Sequence, residues 1–187
     1  MGRKAVFLDR DGTINVERDH LYQFDLWEWI PGAIEAITAF NHNGWLVIVV
    51  SNQAGVARGL YSEADIATLH ARVDEQLSTA GARIDRYYYC PHHPEFGERI
   101  QCSCRKPRPG MLLQGQHDWD IDMTNSFLVG DKLSDMEAAC TAGVTPILVA
   151  TGYGKHAWAR SEKKYLYVDN LSDAAAYIVG SGHARRI

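Results

Sequence analysis

The sequence predicts an α/β fold, a mostly parallel sheet with helices on both faces. Three observations carry this. Strand-like and helix-like patterns alternate along the chain, the order that βαβ units require. The run WLVIVVS at 45–51 is apolar up to its last residue, as a strand buried on both faces must be. Asp9, Ser51 and Asp131 each stand at the end of such a run. Parallel sheets bind their ligands there, beyond the carboxyl ends of the strands at a switch point in strand order.

Residues 4–9 read as the first strand. The stretch 32–42 carries Ile34, Ile37 and Phe40 at helical spacing, and Gly44 stops it. The second strand is 45–51. Ser62-Glu-Ala-Asp65 has the form of a capped helix start, and Ile66, Leu69, Val73 and Leu77 recur on one face behind it. Residues 87–89 suggest a third strand, and 91–109 is the longest irregular segment. Pro109-Gly110 opens a short helix through Leu113. A fourth strand follows at 126–129, a helix at 133–142 ended by Gly143, and a fifth strand at 146–150. A sixth strand at 165–168 and a last helix at 172–179 complete the pattern, with 180–187 as a frayed tail. Cys140 falls in the apolar pattern of its helix and is expected to be an inert core residue.

The 187 residues, 46% hydrophobic and 22% charged, fit one domain with one sizeable core. A net charge of −4 with no basic block argues against nucleic acid or an anionic membrane as partner. No apolar stretch approaches a membrane span. Met-Gly-Arg-Lys runs straight into a strand, so no signal peptide is expected. Val6 stands where a myristoylation signal needs Ser or Thr. The reading is a cytoplasmic monomer.

The polar residues at the strand ends form a chemical set. Phe-Leu-Asp9-Arg-Asp11-Gly-Thr closes the first strand. A carboxylate there can attack phosphorus and carry the phosphoryl group, splitting a hard hydrolysis into two easier steps. Asp11 follows across a turn that Gly12 permits. It is placed to protonate the leaving oxygen and later to deprotonate a water. Ser51-Asn52-Gln53 offer a hydroxyl and backbone N–H groups to phosphate oxygens. Lys106, within Arg105-Lys-Pro-Arg-Pro-Gly110, can neutralise phosphoryl charge, and the planar fork of Arg105 can grip phosphate or sugar oxygens. Asp131, in Gly130-Asp131-Lys-Leu-Ser-Asp135, is placed to share a Mg²⁺ with Asp9. Asp135 either orients Lys106 or a metal-bound water, or is a first-turn acid favoured by the helix dipole.

Of four cysteines, Cys90, Cys102 and Cys104 cluster beside His92 and His93. CxH followed by CxC supplies three sulfurs and one imidazole, the set of a closed structural zinc site, with His92 or His93 as the nitrogen ligand. Zinc rather than iron follows from ligand type. Such a site would pin a long loop and place Arg105 and Lys106, which follow it directly.

Segments 5–15 (AVFLDRDGTIN), 51–59 (SNQAGVARG), 87–92 (YYYCPH), 102–110 (CSCRKPRPG) and 129–136 (VGDKLSDM) resemble the haloacid dehalogenase-like phosphatases. Within them they look like the D-glycero-D-manno-heptose-1,7-bisphosphate 7-phosphatases, a branch whose zinc loop is shared with the bifunctional histidinol-phosphatase enzymes. The resemblance implies a Rossmann-like sheet with a minimal cap of short loop insertions. It implies a Mg²⁺-dependent phosphatase acting on a small sugar phosphate in nucleotide-activated heptose synthesis. By matching position it implies Asp9 as nucleophile and Mg²⁺ ligand, and Asp11 as acid/base with its carbonyl on the metal. Asp131 is implied as the other protein ligand, and Ser51 and Lys106 as phosphoryl stabilisers. Substrate contacts are implied at Arg10, Glu17, Arg18, Asp19, His20, Ser51, Asn52, Gln53, Ala54, Arg105, Lys106 and Lys132. Cys90, His92, Cys102 and Cys104 are implied as zinc ligands. A second reading keeps this machinery for histidinol phosphate or another small phosphomonoester. A third, an inactive zinc-stabilised binding module, is opposed by the intact set of polar groups.

Overall fold

The computed structural model describes residues 2–97, 101–162 and 164–184. The strands are β1 (Ala5–Leu8), β2 (Leu46–Asn52), β3 (Arg86–Cys90), β4 (Phe127–Gly130), β5 (Thr145–Val149) and β6 (Leu166–Val168). They form one six-stranded sheet in the order β3-β2-β1-β4-β5-β6, and every pairing is parallel. The chain winds outward from β1 to β3, returns to the centre at β4 and winds outward on the other side. The switch point therefore lies between β1 and β4, and Asp9 and Asp131 leave the sheet side by side.

Alternation along the strands divides the core. Val6, Leu8, Val47, Val49, Val129, Ile147 and Val149 pack against helices α1 (Ala33–His42), α2 (Glu63–Thr79) and α6 (Leu171–Ala184). Ala5, Phe7, Leu46, Ile48, Val50 and Leu128 face the other way, onto α3 (Gly110–Trp119) and α4 (Leu133–Ala142). Helix α5 (Gly154–Arg160) sets Ala157 and Trp158 against Leu148 and Met136. Helices thus cover both faces, as the apolar strands require. No separate cap domain stands over the strand ends among the described residues; loop segments do that work. No helix among them is long and apolar enough to cross a membrane.

Local chemistry explains most boundaries. Ser62 and Asp65 make the reciprocal capping box that starts α2, and Gly143 ends α4 in the left-handed conformation. Three expectations need correction. Helix α3 does not stop near Leu113 but runs to Trp119. Its third inward position is Gly115, where a Cβ would sit 3.0 Å from the Phe7 ring, so the apolar period lapses while the helix continues. Helix α6 reaches Ala184, through most of the expected tail, while 185–187 lie outside the described residues. Cys140 is exposed, not core. The buried face of α4 is Asp135, Met136, Ala138 and Ala139; burying Asp135 fixes the helix rotation and turns Cys140 outward.

One buried histidine makes stability depend on pH. His70 on α2 is 7% exposed, lies flat on Tyr87 at 4.0 Å, and its Nε2 has no hydrogen-bond partner. Burial, with the Arg10 charge, lowers its pKa to about 3. The unfolded chain binds a proton there below about pH 6.5, and the folded chain does not. This stability is complete above pH 6.5 and is lost as pH falls toward the folded value. Urea unfolding should show about 1 kcal/mol lost at this site between pH 7.5 and pH 5.5. His70→Phe, which keeps the stack, should flatten that dependence; an unchanged slope would refute the attribution.

Candidate active site

Asp9 follows β1 and is 4% exposed. Its Oδ1 lies 2.8 Å from Lys106 Nζ, which also reaches Asp135 Oδ1 at 2.7 Å and donates to the Val50 carbonyl at 2.7 Å. Three acceptors thus fix a buried ammonium at the strand ends. Burial alone would lower the Lys106 pKa, but Asp135 and Asp9 raise it, so it stays charged. Burial would likewise raise Asp9, but Lys106 and Lys132 hold it below its usual range. The Lys106 backbone is clamped to β2 by Asn52, whose Nδ2 donates to its carbonyl and whose Oδ1 accepts from its N–H, both at 3.0 Å. This joint explains how a loop lysine far along the sequence becomes rigid.

Asp131 follows β4, fully buried. Its Oδ2 accepts from the Tyr153 backbone N–H at 2.8 Å, while Oδ1 has no hydrogen-bond partner. Gly12 and Gly152 crowd this carboxylate, and a Cβ at either would overlap it. Burial and the nearby Asp9 push the Asp131 pKa up to about 8. Lys132 Nζ stands 3.7 Å from Asp131 Oδ1, within ion-pair range but beyond a hydrogen bond; a crowded carboxylate beside a second anion can still take a cation on this oxygen. Carboxylate oxygens of Asp9, Asp131 and Asp135 all lie within 4.8 Å of one another. Asp135, however, gives Oδ1 to Lys106 and accepts the Lys132 N–H on Oδ2 at 3.0 Å. Both sequence readings of Asp135 hold together: it caps α4 and orients Lys106. That leaves Asp9 and Asp131 to hold a hard divalent cation, which suits two carboxylates plus water and phosphate.

Asp11 and Ser51 join Asp9, Asn52, Lys106 and Lys132 around a recess of about 30 Å³. It opens into a cleft of about 500 Å³. Glu17, Asp19, His20, Asn52, Gln53, Ala54, Arg105, Lys106 and Lys132 all line that cleft. Glu17 and Lys132 pair across its mouth at 2.8 Å, and Lys132 sits 5.0 Å over the Tyr153 ring.

At the end of β3, the Sγ of Cys90 lies 3.6 Å from that of Cys102 and 3.1 Å from that of Cys104. His92 Nδ1 lies 3.6 Å from Cys90 and 3.3 Å from Cys104. A zinc tetrahedron with bonds near 2.3 Å has edges of about 3.7 Å, so the four donors already approximate one. His93 turns away to Arg58 and Phe96. Arg105 donates to the His92 carbonyl at 3.1 Å, tying this cluster to the cleft.

The family model described as HAD-hyrolase-like matches residues 103–174. The D-glycero-beta-D-manno-heptose-1,7-bisphosphate 7-phosphatase of Photorhabdus laumondii is 42% identical over 183 residues, covering 96% of this chain and 97% of that protein. Its namesake in Haemophilus ducreyi is 45% identical, covering 95% and 100%. The chain belongs to the heptose-1,7-bisphosphate 7-phosphatase family. A crystal structure of the D,D-heptose 1,7-bisphosphate phosphatase of B. bronchiseptica, complexed with magnesium and phosphate, superposes with a TM-score of 0.88 at 33% identity, covering 95% of this chain and 99% of that one.

Two of the residues expected to contact substrate lie outside the lining of the cleft and its recess. Arg18 does not line the cleft; it pairs with Glu28 at 2.9 Å on the surface. The Arg10 side chain is fully buried and committed to Asp11, Leu21 and Gln53. Four cleft residues were not foreseen: Leu21, Tyr61, Ser134 and Tyr153. Ser134 lies inside the segment 129–136 and was within reach of the motif. Tyr61 and Tyr153 carry no sequence signal of a site, and only the fold brings them to it.

Proposed function

We propose that the chain is a phosphatase that removes the 7-phosphate of D-glycero-D-manno-heptose 1,7-bisphosphate through an aspartyl-phosphate on Asp9, with the whole chain acting as one domain in the cytoplasm. One observation carries the chemistry. At the switch point Asp9 pairs with a buried Lys106 at 2.8 Å, beside an Asp131 oxygen that has no hydrogen bond and only a 3.7 Å ion pair to Lys132. The named relatives carry the substrate, and their names specify the β anomer.

Asp9 and Asp131, with the Asp11 carbonyl, would hold Mg²⁺, which when bound supplies positive charge to the phosphoryl oxygens. Asp9 attacks phosphorus as the bond to the C7 oxygen breaks, and Asp11 gives that oxygen its proton. Asp11 then takes a proton from water, which attacks phosphorus and frees Asp9. Lys106 and the Ser51 hydroxyl face the phosphoryl oxygens, positioned beforehand and so needing no reorganisation. Arg105 and Lys132, both in the lining of the cleft, bind the rest of the substrate. Cys90, His92, Cys102 and Cys104 would hold a structural zinc.

The test is phosphate release from both heptose 1,7-bisphosphate anomers and from histidinol phosphate, with Mg²⁺ and then EDTA. The β anomer should be turned over with a kcat/KM at least about 10-fold above the others, equivalent to about 1.4 kcal/mol of discrimination. Activity should vanish in EDTA. A preference for histidinol phosphate would overturn the substrate assignment and leave the chemistry in place.

A further inference from the structure

Gln53 lines the cleft yet is only 2% exposed. Its Oε1 accepts from the Tyr61 hydroxyl at 2.7 Å and from Arg10 Nη2 at 3.3 Å. A guanidinium only donates, so the amide cannot turn over without setting N–H against N–H. Its Nε2 therefore points one way, to Ser51 Oγ at 2.7 Å and to Asp11 Oδ2 at 3.2 Å. Tyr61 is itself fixed. Its ring stacks on Tyr22 at 5.1 Å, and a Cβ on Gly55 would overlap it.

Asp11 has other holders. Arg10 donates through Nε at 3.0 Å and Nη2 at 3.1 Å, and Asn15 donates at 3.0 Å. Arg10 and Asn15 belong to the same tight turn as Asp11, where Gly12 N–H meets the Asn15 carbonyl at 2.8 Å. They fix the carboxylate within its own turn. Gln53 comes from the end of β2, beside Ser51. Among the described residues it is the side chain that bridges Asp11 to the phosphate-facing wall.

We infer that Gln53 is a positioning residue for Asp11: locked from behind by Tyr61 and Arg10, its amide sets the carboxylate where it meets the leaving oxygen. This rests on the reading of Asp11 as the acid. Proton donation matters most when the departing oxygen is a poor leaving group. An alkoxide such as the C7 oxygen needs the proton; p-nitrophenolate leaves with little help. A misplaced acid must therefore penalise the sugar phosphate more than the aryl ester.

The experiment compares kcat/KM for heptose 1,7-bisphosphate and p-nitrophenyl phosphate, each with Mg²⁺. This quantity covers steps only up to departure of the alcohol, so hydrolysis of the intermediate does not enter. Gln53→Met should lower kcat/KM on the sugar at least about 10-fold more than on the aryl ester. Tyr61→Phe, which removes one hydroxyl and no packing, should give the same split at a smaller size, roughly 3-fold, and it decides the matter if Gln53→Met does not fold. Equal losses on both substrates, or none, would overturn the proposal, because a merely structural defect cannot recognise the leaving group. Asp11→Asn sets the ceiling. No split in that variant would overturn the acid assignment, and the proposal with it.

Discussion

Asp9→Asn should abolish Mg²⁺-dependent phosphate release, by roughly 10⁴-fold or more in kcat, while the protein stays folded. The amide keeps the shape of the side chain and removes both the charge of the proposed nucleophile and an oxygen proposed to bind Mg²⁺. The fold should survive for a specific reason. Losing Asp9 would be damaging if it stranded the Lys106 ammonium, since an unpaired buried charge costs several kcal/mol. Lys106 keeps Asp135 at 2.7 Å and the Val50 carbonyl at 2.7 Å. Asp131 also loses a like-charged neighbour that helps raise its pKa to about 8. The thermal midpoint of the variant should therefore equal or exceed that of the wild type, the usual sign of a site in which stability is given up for activity. Kinetics and a melting curve on one preparation check both halves. Residual turnover within 100-fold of wild type would refute covalent catalysis by Asp9. Lost turnover with a collapsed midpoint would show that the Asp9–Lys106 pair is structural.

The sequence made the frame of this site visible because a parallel sheet turns position in sequence into position in space. A polar residue closing an apolar run must stand at the carboxyl edge, so Asp9, Ser51 and Asp131 were legible without coordinates. The zinc-type cluster was legible because three sulfurs and an imidazole have few other reasons to gather. What stayed hidden was whatever depends on rotation and distance. Cys140 belongs to an apolar pattern, but the tie from buried Asp135 to Lys106 turns α4 so that Cys140 faces out. The length of α3 was hidden by Gly115, apolar by burial but not by type. Helix α5 is seven residues behind a turn that contains Gly152, too short for a period to show. Tyr61 reaches the cleft through its contact with Gln53, and a pairing eight residues apart in a loop leaves no trace in composition.

Loss of the Cys/His cluster should disable the enzyme in a way that Mg²⁺ cannot repair. The sequence from 91 to 109 carries little apolar material of its own, and a chain of that kind gains its order from a cross-link or a metal. Both ends of the cluster adjoin the joint between Asn52 and Lys106. Cys90 closes β3 next to the Asn52 position of β2, and Cys104 lies two residues before Lys106. Removing a ligand frees Arg105 from the His92 carbonyl and leaves the Lys106 backbone with the Asn52 clamp as its tie to β2. Cys104→Ala should therefore bind no zinc, whereas the wild type should bind one per chain. It should lose about 3–5 kcal/mol of stability, or on the order of 10 °C in midpoint. The sheet core packed by α1, α2 and α6 takes nothing from this loop, so the far-ultraviolet circular dichroism should keep its α/β form. Activity should fall at least 100-fold, because Lys106, proposed to screen the transferring phosphoryl group, loses the anchored loop that sets it 2.8 Å from Asp9. The two metal sites should separate on treatment with EDTA. Two carboxylates with water and phosphate give up a hard cation readily, whereas a closed thiolate set does not. A brief EDTA treatment followed by Mg²⁺ should restore the wild type fully and leave its zinc in place, and the same Mg²⁺ should do nothing for Cys104→Ala. Zinc-free protein with wild-type activity and midpoint would show that the cluster neither orders the loop nor places Lys106.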